Sequence, residues 1–335
     1  MIYVHVPFCR SFCTYCDFYS EIACRGKDSE AVEAYVRDVV REAESRRTEI
    51  QETSGVNTLY IGGGTPSVLP PDALRSILSA LPGAPYDEFT MEVNPEDIVQ
   101  KGPDYVKALL DMGVNRISMG VQSLDDGMLR WMNRRHDADG ARTAFRILRD
   151  AGVRNISVDI ITGVPGMNDG MLRATVDEVL GWKPEHISAY QLSIEEGSAL
   201  ASMIEDGRCE EASEEQCRGQ YEYLCDALKA AGYVHYEISN WALPGKEAVH
   251  NSAYWTRKPY VGLGPGAHSL SADGRVRSWN SQQLSGWTSG SETLSDEEVR
   301  EEEIMLGMRT LHGWNGKVIP EKEWFISDEI ISLYL

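Results

Sequence analysis

Cys9-Arg-Ser-Phe-Cys13-Thr-Tyr-Cys16 sets three thiols within eight residues, at spacings of four and three. Thiolates on one loop can wrap a corner of an iron–sulfur cluster, whose irons prefer soft sulfur ligands. In a 4Fe–4S cubane, three cysteines leave one iron without a protein ligand. An open position of that kind admits a further ligand, as it does at catalytic zinc sites. Two other readings stand beside this one: a zinc site completed by a distant ligand, and a group of buried thiols. A disulfide is not attractive, because clustered loop cysteines without a secretory signal point to metal or redox chemistry.

Such a loop needs a scaffold. Ile2-Tyr-Val-His-Val6 reads as a short strand that ends at Pro7, so the cysteines leave its C-terminal end. Further strand-like runs follow at 56–61, 89–93, 116–119, 156–161 and 186–192. Helical segments at about 29–49, 71–81, 104–112 and 171–180 fall between them. Alternation of this kind predicts a parallel sheet with crossover helices. Residues of unusual type sit at or just past successive strand ends: Cys9–Cys16, Gly62–Thr65, Glu92 and Asn94, Gln122, Asp159 and Ser193. A barrel would bring those ends together on one face; an open doubly wound sheet would spread them along a line. The expected fold class is therefore α/β: a partial, six-stranded (β/α) TIM-like barrel over 1–195, followed by an α+β extension over 196–335.

The chain has 335 residues, 42% of them hydrophobic, enough for a large core. It contains no apolar run of membrane-spanning length and no basic-plus-apolar leader, and its seven cysteines are an odd number. These features predict a cytoplasmic protein. The net charge of −20 argues against nonspecific nucleic-acid binding.

Individual residues carry open alternatives. Gly62-Gly-Gly-Thr-Pro66 is either a plain turn or a place where backbone approaches a ligand closely. Glu92 and Asp159 are either helix caps or carboxylates facing a ligand, and Arg134 is either a surface cation or a bidentate anion clamp. Beyond Leu192 the alternation breaks down. Tyr236-Glu-Ile-Ser-Asn-Trp241, His250-Asn-Ser-Ala-Tyr-Trp255 and Gly262-Leu-Gly-Pro-Gly-Ala-His268 concentrate His, Tyr and Trp. That is either a structural aromatic cluster or a surface for a flat, conjugated ligand. Histidine is a common haem ligand, and His250 and His268 are the candidates, His250 leading. Cys209, Cys217 and Cys225, eight residues apart, are too far apart for joint ligation of one ion and read as structural.

The spacing C-x3-C-x2-C resembles the signature of the radical S-adenosylmethionine (SAM) superfamily. That resemblance implies a 4Fe–4S cluster whose unique iron is chelated by the amino and carboxylate groups of SAM. The runs Tyr15-Cys-Asp-Phe18, Gly62-Gly-Gly-Thr-Pro-Ser67, Glu92-Val-Asn-Pro95, Gly120-Val-Gln-Ser123, Tyr236-Glu-Ile-Ser-Asn240 and His250-Asn-Ser-Ala-Tyr-Trp255 are similar to the HemW group of haem chaperones within it. The likeness covers nearly residues 1 to 312. It implies cluster ligation by Cys9, Cys13 and Cys16. It implies SAM contacts by Tyr3, Tyr15, Gly63, Gly64, Thr65, Glu92, Gln122, Arg134 and Asp159. Ser193 and His268 stand where the sibling HemN pattern has two further SAM contacts, with different residue types. The His250-Asn-x-x-Tyr-Trp run is similar to the motif that the group associates with haem.

The implied function is binding of cluster, SAM and haem, with haem passed to an acceptor protein, one at a membrane included. The alternative is SAM-dependent oxidative decarboxylation of coproporphyrinogen III, the HemN reaction; chemistry on another tetrapyrrole is a third reading. HemN-type chains carry an N-terminal extension and a fourth cysteine where this chain has Phe18, so that activity is expected to be absent. The winged-helix-like tail usual in the group is expected to be shortened or missing, since the sequence stops at Leu335.

Overall fold

The computed structural model describes residues 1–22, 29–195 and 198–335. Its strands are β1 (Ile2–Val6), β2 (Phe8–Cys9), β3 (Glu21–Ile22), β4 (Thr58–Gly63), β5 (Glu88–Val93), β6 (Arg116–Gln122), β7 (Ile156–Thr162), β8 (His186–Gln191), β9 (Val234–Glu237), β10 (Asn240–Ala242), β11 (Val261–Leu263), β12 (His268–Leu270), β13 (Val276–Asn280) and β14 (Ser289–Thr293). Six of them, β1-β4-β5-β6-β7-β8, lie side by side in chain order and run parallel. This is the partial barrel that the alternation predicts. The sheet goes further than six strands, to nine in all. On one edge β11 pairs with β1 in parallel, and on the other β10 and then β9 add antiparallel. Residues after 195 thus complete both edges of the sheet, and residue 196, the expected start of the extension, lies outside the described residues.

Short polar side chains start the helices that return the chain from the strand ends. Asn94, just past β5, accepts from the Glu96 amide at 3.0 Å and is followed by Pro95 at the first helical position. Asn168 starts Asp169–Trp182 by accepting from the Met171 amide at 3.1 Å. The helix expected at 104–112 therefore begins earlier, at Pro95, and changes direction at Gly102 before Pro103. The helix expected over 29–49 is two, Ser29–Ser45 and Arg47–Glu52.

Strand alternation separates two environments. Val4, Leu59, Ile61, Met91, Ile117, Met119 and Val158 are fully buried in one continuous core. The intervening residues are polar. Tyr3 pairs with Tyr60, Tyr60 with Thr90 and Thr90 with Arg116; Glu92 pairs with Ser118 and Asp159 with Ser188. Residues in register share a face. The barrel interior is thus lined by hydroxyls, carboxylates and a guanidinium, where such barrels ordinarily carry Val, Ile and Leu. A second, small core of Ile304, Met308, Ile319, Trp324 and Ile331 holds the last part of the chain. No helix among the described residues is long and apolar enough to cross a membrane.

Candidate functional site

Cys9 ends β2, and Cys13 and Cys16 lie on the loop that returns to β3. The loop is held from three directions. Thr14 bonds the Trp131 and Met132 carbonyls, at 2.9 Å through its hydroxyl and 3.2 Å through its amide, while Asn133 Nδ2 donates to the Phe12 carbonyl at 2.6 Å. The Glu21 amide donates to the Pro7 carbonyl at 2.6 Å. His5 Nε2 lies 2.9 Å from the Tyr19 carbonyl and its Nδ1 3.0 Å from the Tyr3 hydroxyl. A carbonyl can only accept, so Nε2 carries the proton and Nδ1 accepts from Tyr3.

The 62–64 glycines bring the next strand end against this loop. A side chain at Gly64 would put its first carbon 2.8 Å from the Phe8 carbonyl oxygen and 3.1 Å from Cys9 Sγ. At Gly63, whose φ is +111°, it would meet the His5 ring at 2.7 Å. The closeness lets Thr65 place its hydroxyl 3.4 Å from Cys9 Sγ and its amide 2.8 Å from the Phe8 carbonyl.

Around the loop lies a cavity of about 460 Å³ at the C-terminal ends of the parallel strands. It is lined by Cys9, Cys13, Cys16, Tyr15, Gly63, Gly64, Thr65, Glu92, Gln122, Arg134, Asp159 and Ser193, together with Tyr60, Ser118 and Tyr190. Arg134 donates to Cys13 Sγ at 3.4 Å and to the Gly120 carbonyl at 2.8 Å. Gln122 adopts a left-handed φ of 67°, where the pairing of β6 with β7 slips by a residue.

Glu92 accepts from the Tyr60 hydroxyl at 2.7 Å and the Gly63 amide at 3.1 Å, and burial pushes its carboxyl up to about 7. Asp159 accepts from the Ser118 hydroxyl at 3.0 Å and is likewise raised by burial. Burial also raises the Cys9 thiol and lifts Cys16 to about 11. Cys9 and Cys16 without a metal are therefore protonated at neutral pH, and metal binding there must release protons.

The donor set fits an iron–sulfur cluster with a polar ligand beside it. Three sulfurs face one cavity, and two buried polar atoms on its wall, Gln122 Oε1 and Arg134 Nε, have no partner among the described residues. Buried polar atoms without partners are uncommon in proteins and call for a ligand or water.

Three sequence-derived site residues lie elsewhere. Tyr3 does not line the cavity; it lies behind Glu92 in the barrel, its ring 6.1 Å from that of Tyr60. His268 is exposed on β12, in a separate three-stranded sheet beside Trp279, outside the cavity. His250 is the larger correction. It is fully buried, with Nδ1 2.8 Å from Thr58 Oγ1 and Nε2 3.1 Å from the Tyr254 hydroxyl. Thr58 opens β4, so His250 sits at the opposite end of the barrel from the cysteines, with neither ring nitrogen free for a metal.

Sequence reasoning also missed groups that matter. His5, Tyr60 and Ser118 announce themselves only as polar residues alternating with aliphatic ones inside buried strands. Asp97 is fully buried, accepts from Ser67 at 2.7 Å and Arg135 at 3.0 Å, and lies 3.8 Å from Arg10 of the cysteine loop. No motif marks it.

Known proteins place this architecture. Residues 3–179 match the Radical SAM superfamily, and the chain belongs to it. The solved structure of coproporphyrinogen III oxidase (HemN) from Escherichia coli, titled a radical SAM enzyme, superimposes with a TM-score of 0.76 over 92% of this chain and 75% of that one; at 19% identity it speaks for the fold alone. The heme chaperone HemW of Lactococcus lactis is 34% identical over 93% of this chain and 82% of its own. The heme chaperone HemW of Bacillus subtilis is 31% identical over 96% and 86%. Within the superfamily this is a HemW-type protein. Membership implies SAM and a 4Fe–4S cluster as cofactors.

Proposed function

We propose that the chain binds a 4Fe–4S cluster through Cys9, Cys13 and Cys16, binds SAM in the adjoining cavity, and carries haem for transfer to an acceptor protein. The observation that carries this reading is the meeting of three thiols, a carboxylate near neutrality and a guanidinium around one cavity. When bound, the cluster supplies an iron with an open position that the amino and carboxylate groups of SAM can chelate.

The chain's own residues do the rest. Arg134, beside Cys13, offsets the negative charge of thiolates and holds an anionic group by its guanidinium. Glu92, once ionised, attracts an ammonium, and Asp159 accepts from hydroxyls. The 62–64 backbone gives close approach. We assign residues 1–195 to the cluster, SAM and an aromatic face for haem, and 196–335 to closing the barrel edges and supplying His268 to haem, in the cytoplasm.

For haem, an apolar platform is available at the cavity mouth, where Phe12, Phe18 and Tyr190 expose 48%, 68% and 44% of their surface. Aromatic faces of this kind pack against a porphyrin. Of the two histidines read as candidate axial ligands, His268 is the accessible one. Its ring makes no hydrogen bond among the described residues, and it lies beside the half-exposed Trp279.

The test is a haem titration of the anaerobically reconstituted protein, followed by the Soret band, in parallel with a coproporphyrinogen III assay. The expected result is a saturable Soret shift, weakened in Phe18→Ala and in His268→Ala, with no turnover of coproporphyrinogen. Multiple turnovers to protoporphyrinogen IX would replace the reading with the HemN-type activity. Absence of saturable haem binding would remove the carrier function.

A further inference from the structure

Far from the cysteine loop, three metal-ligating groups of different kinds converge. Cys225 comes from the helix Glu214–Ala230, His235 from β9 and Glu321 from the turn Glu321–Ile326. Their ligand atoms all lie within 4.8 Å of one another. His235 Nδ1 is 3.2 Å from Glu321 Oε1 and 3.9 Å from Cys225 Sγ. A tetrahedral zinc ion with ordinary bond lengths separates nitrogen from oxygen by about 3.4 Å and nitrogen from sulfur by about 3.6 Å. The three groups are thus already near the positions such an ion imposes.

The imidazole supplies an independent reason. Its side chain is 3% exposed, stacked on Trp241 at 4.0 Å between centroids and edge-on to Trp324 at 4.4 Å. Its other nitrogen, Nε2, lies 3.3 Å from the Ile238 carbonyl. A neutral imidazole has one N–H and one lone pair. With the proton on Nε2, the Nδ1 lone pair faces a carboxylate; with it on Nδ1, the Nε2 lone pair faces a carbonyl. The second sets one acceptor against another; in the first only the Cys225 thiol, at 3.9 Å, can donate to Nδ1, while Glu321 Oε1 opposes the same lone pair at 3.2 Å. An imidazolium would satisfy both oxygens, at the cost of a charge buried between the Trp241 and Trp324 rings. A cation beside Nδ1 removes the conflict: Nε2–H donates to the carbonyl, the usual outer partner of a metal-bound histidine, and Nδ1 becomes a ligand. Lys229, 3.7 Å from the second Glu321 oxygen, tethers the carboxylate from the solvent side.

We propose that Cys225, His235 and Glu321 form a divalent-cation site, matched by its sulfur, nitrogen and oxygen donors to zinc, that fastens the end of the chain to the outer edge of the barrel sheet. Water fills the fourth position on the open, Glu321 side. The ion is structural: it joins β9, the edge strand of the sheet, to the turn that carries Trp324 and the small second core.

The experiment uses the full chain, reconstituted anaerobically so that iron occupies the Cys9 loop, then given one equivalent of zinc(II) and desalted over a chelating resin. The expected result is about one zinc per chain, with zinc-edge X-ray absorption showing a single sulfur at about 2.3 Å and nitrogen or oxygen at about 2.0 Å. Cys225→Ser and Glu321→Gln should each weaken zinc roughly tenfold or more without changing the iron content. Glu321 is a partly exposed carboxylate, so its variant decides the matter if Cys225→Ser does not fold. No retained zinc, a shell with no sulfur, a shell with three sulfurs (zinc in the Cys9 loop), or unchanged affinity in Glu321→Gln would each overturn the site.

Discussion

The two ends of the barrel are built from the same strands and from similar polar residues, yet they differ in one respect. At the end where β4 and β5 begin, the polar groups around His250 hold one another, and the two wall atoms there without a partner among the described residues, Arg116 Nε and Thr90 Oγ1, line no part of the cavity. Glu88 accepts the Val249 and His250 amides at 2.8 and 3.0 Å, Thr58 and Tyr254 hold both nitrogens of His250, and the terminal ammonium meets the Thr53 carbonyl at 2.6 Å. At the end where the same strands stop, Gln122 and Arg134 keep buried atoms without partners, and carboxyls and thiols are pushed up by burial. Polar residues that satisfy one another hold a fold; polar residues left unsatisfied around a cavity await something else. Residue type does not separate the two cases; unpartnered atoms that face a cavity do.

The strongest way to break this contrast is at the cysteines. Replacing Cys9, Cys13 and Cys16 together by Ser should take the reconstituted protein from about four irons per chain to none, measured by iron analysis and the visible spectrum. A cluster that survives would unseat the site.

Next comes the paired end. His250→Ala leaves Thr58 and Tyr254 unpartnered and opens a cavity, which should cost about 4 kcal/mol in denaturant unfolding. Haem affinity of the folded fraction should not change; a haem defect with unaltered stability would reverse the assignment.

The third effect is a pH dependence. Glu92, raised from 4.5 to about 7 by burial, keeps a proton in the folded state that the unfolded chain has released. The contribution of Glu92 to ligand-free stability should therefore be fullest below the ordinary carboxyl value and be lost as pH rises through about 7, by roughly 3 kcal/mol. Glu92→Gln should flatten that slope, and an identical profile in the variant would show that Glu92 is not the titrating group.

The smallest effect sharpens the comparison by its absence. Cys217→Ser, at a buried thiol outside the cavity, should leave the iron content as it is.

Much of the site was legible because it obeys local rules. Cysteine spacing and strand–helix alternation placed Cys9, Gly63, Glu92 and Asp159 at strand ends, and a parallel barrel can only gather such ends on one face. What was not legible is long-range pairing. His250 looked like a ligand because nothing nearby in the chain shows that Thr58, 192 residues away, bonds its ring. Cys225 read as structural, with no ligand role, for the same reason: His235 is ten residues on, but Glu321 arrives from a segment 96 residues away. The edges of the sheet were missed because β10 and β11 are three residues long, too short to register as periodic strands.

The pairing of Ile2 with Val261 also sets a timetable for biosynthesis. The strand that leads into the cysteine loop is made well before the neighbour that covers its outer edge, which follows some 259 residues later. At usual rates of translation the interval is on the order of tens of seconds. Through that time β1 presents a bare edge, the kind of surface that recruits stray strands and that chaperones shield. The strand that carries the Cys9 loop thus gains its second neighbour only once Val261–Leu263 have been made, so the scaffold of the site is completed late although its ligands are made early.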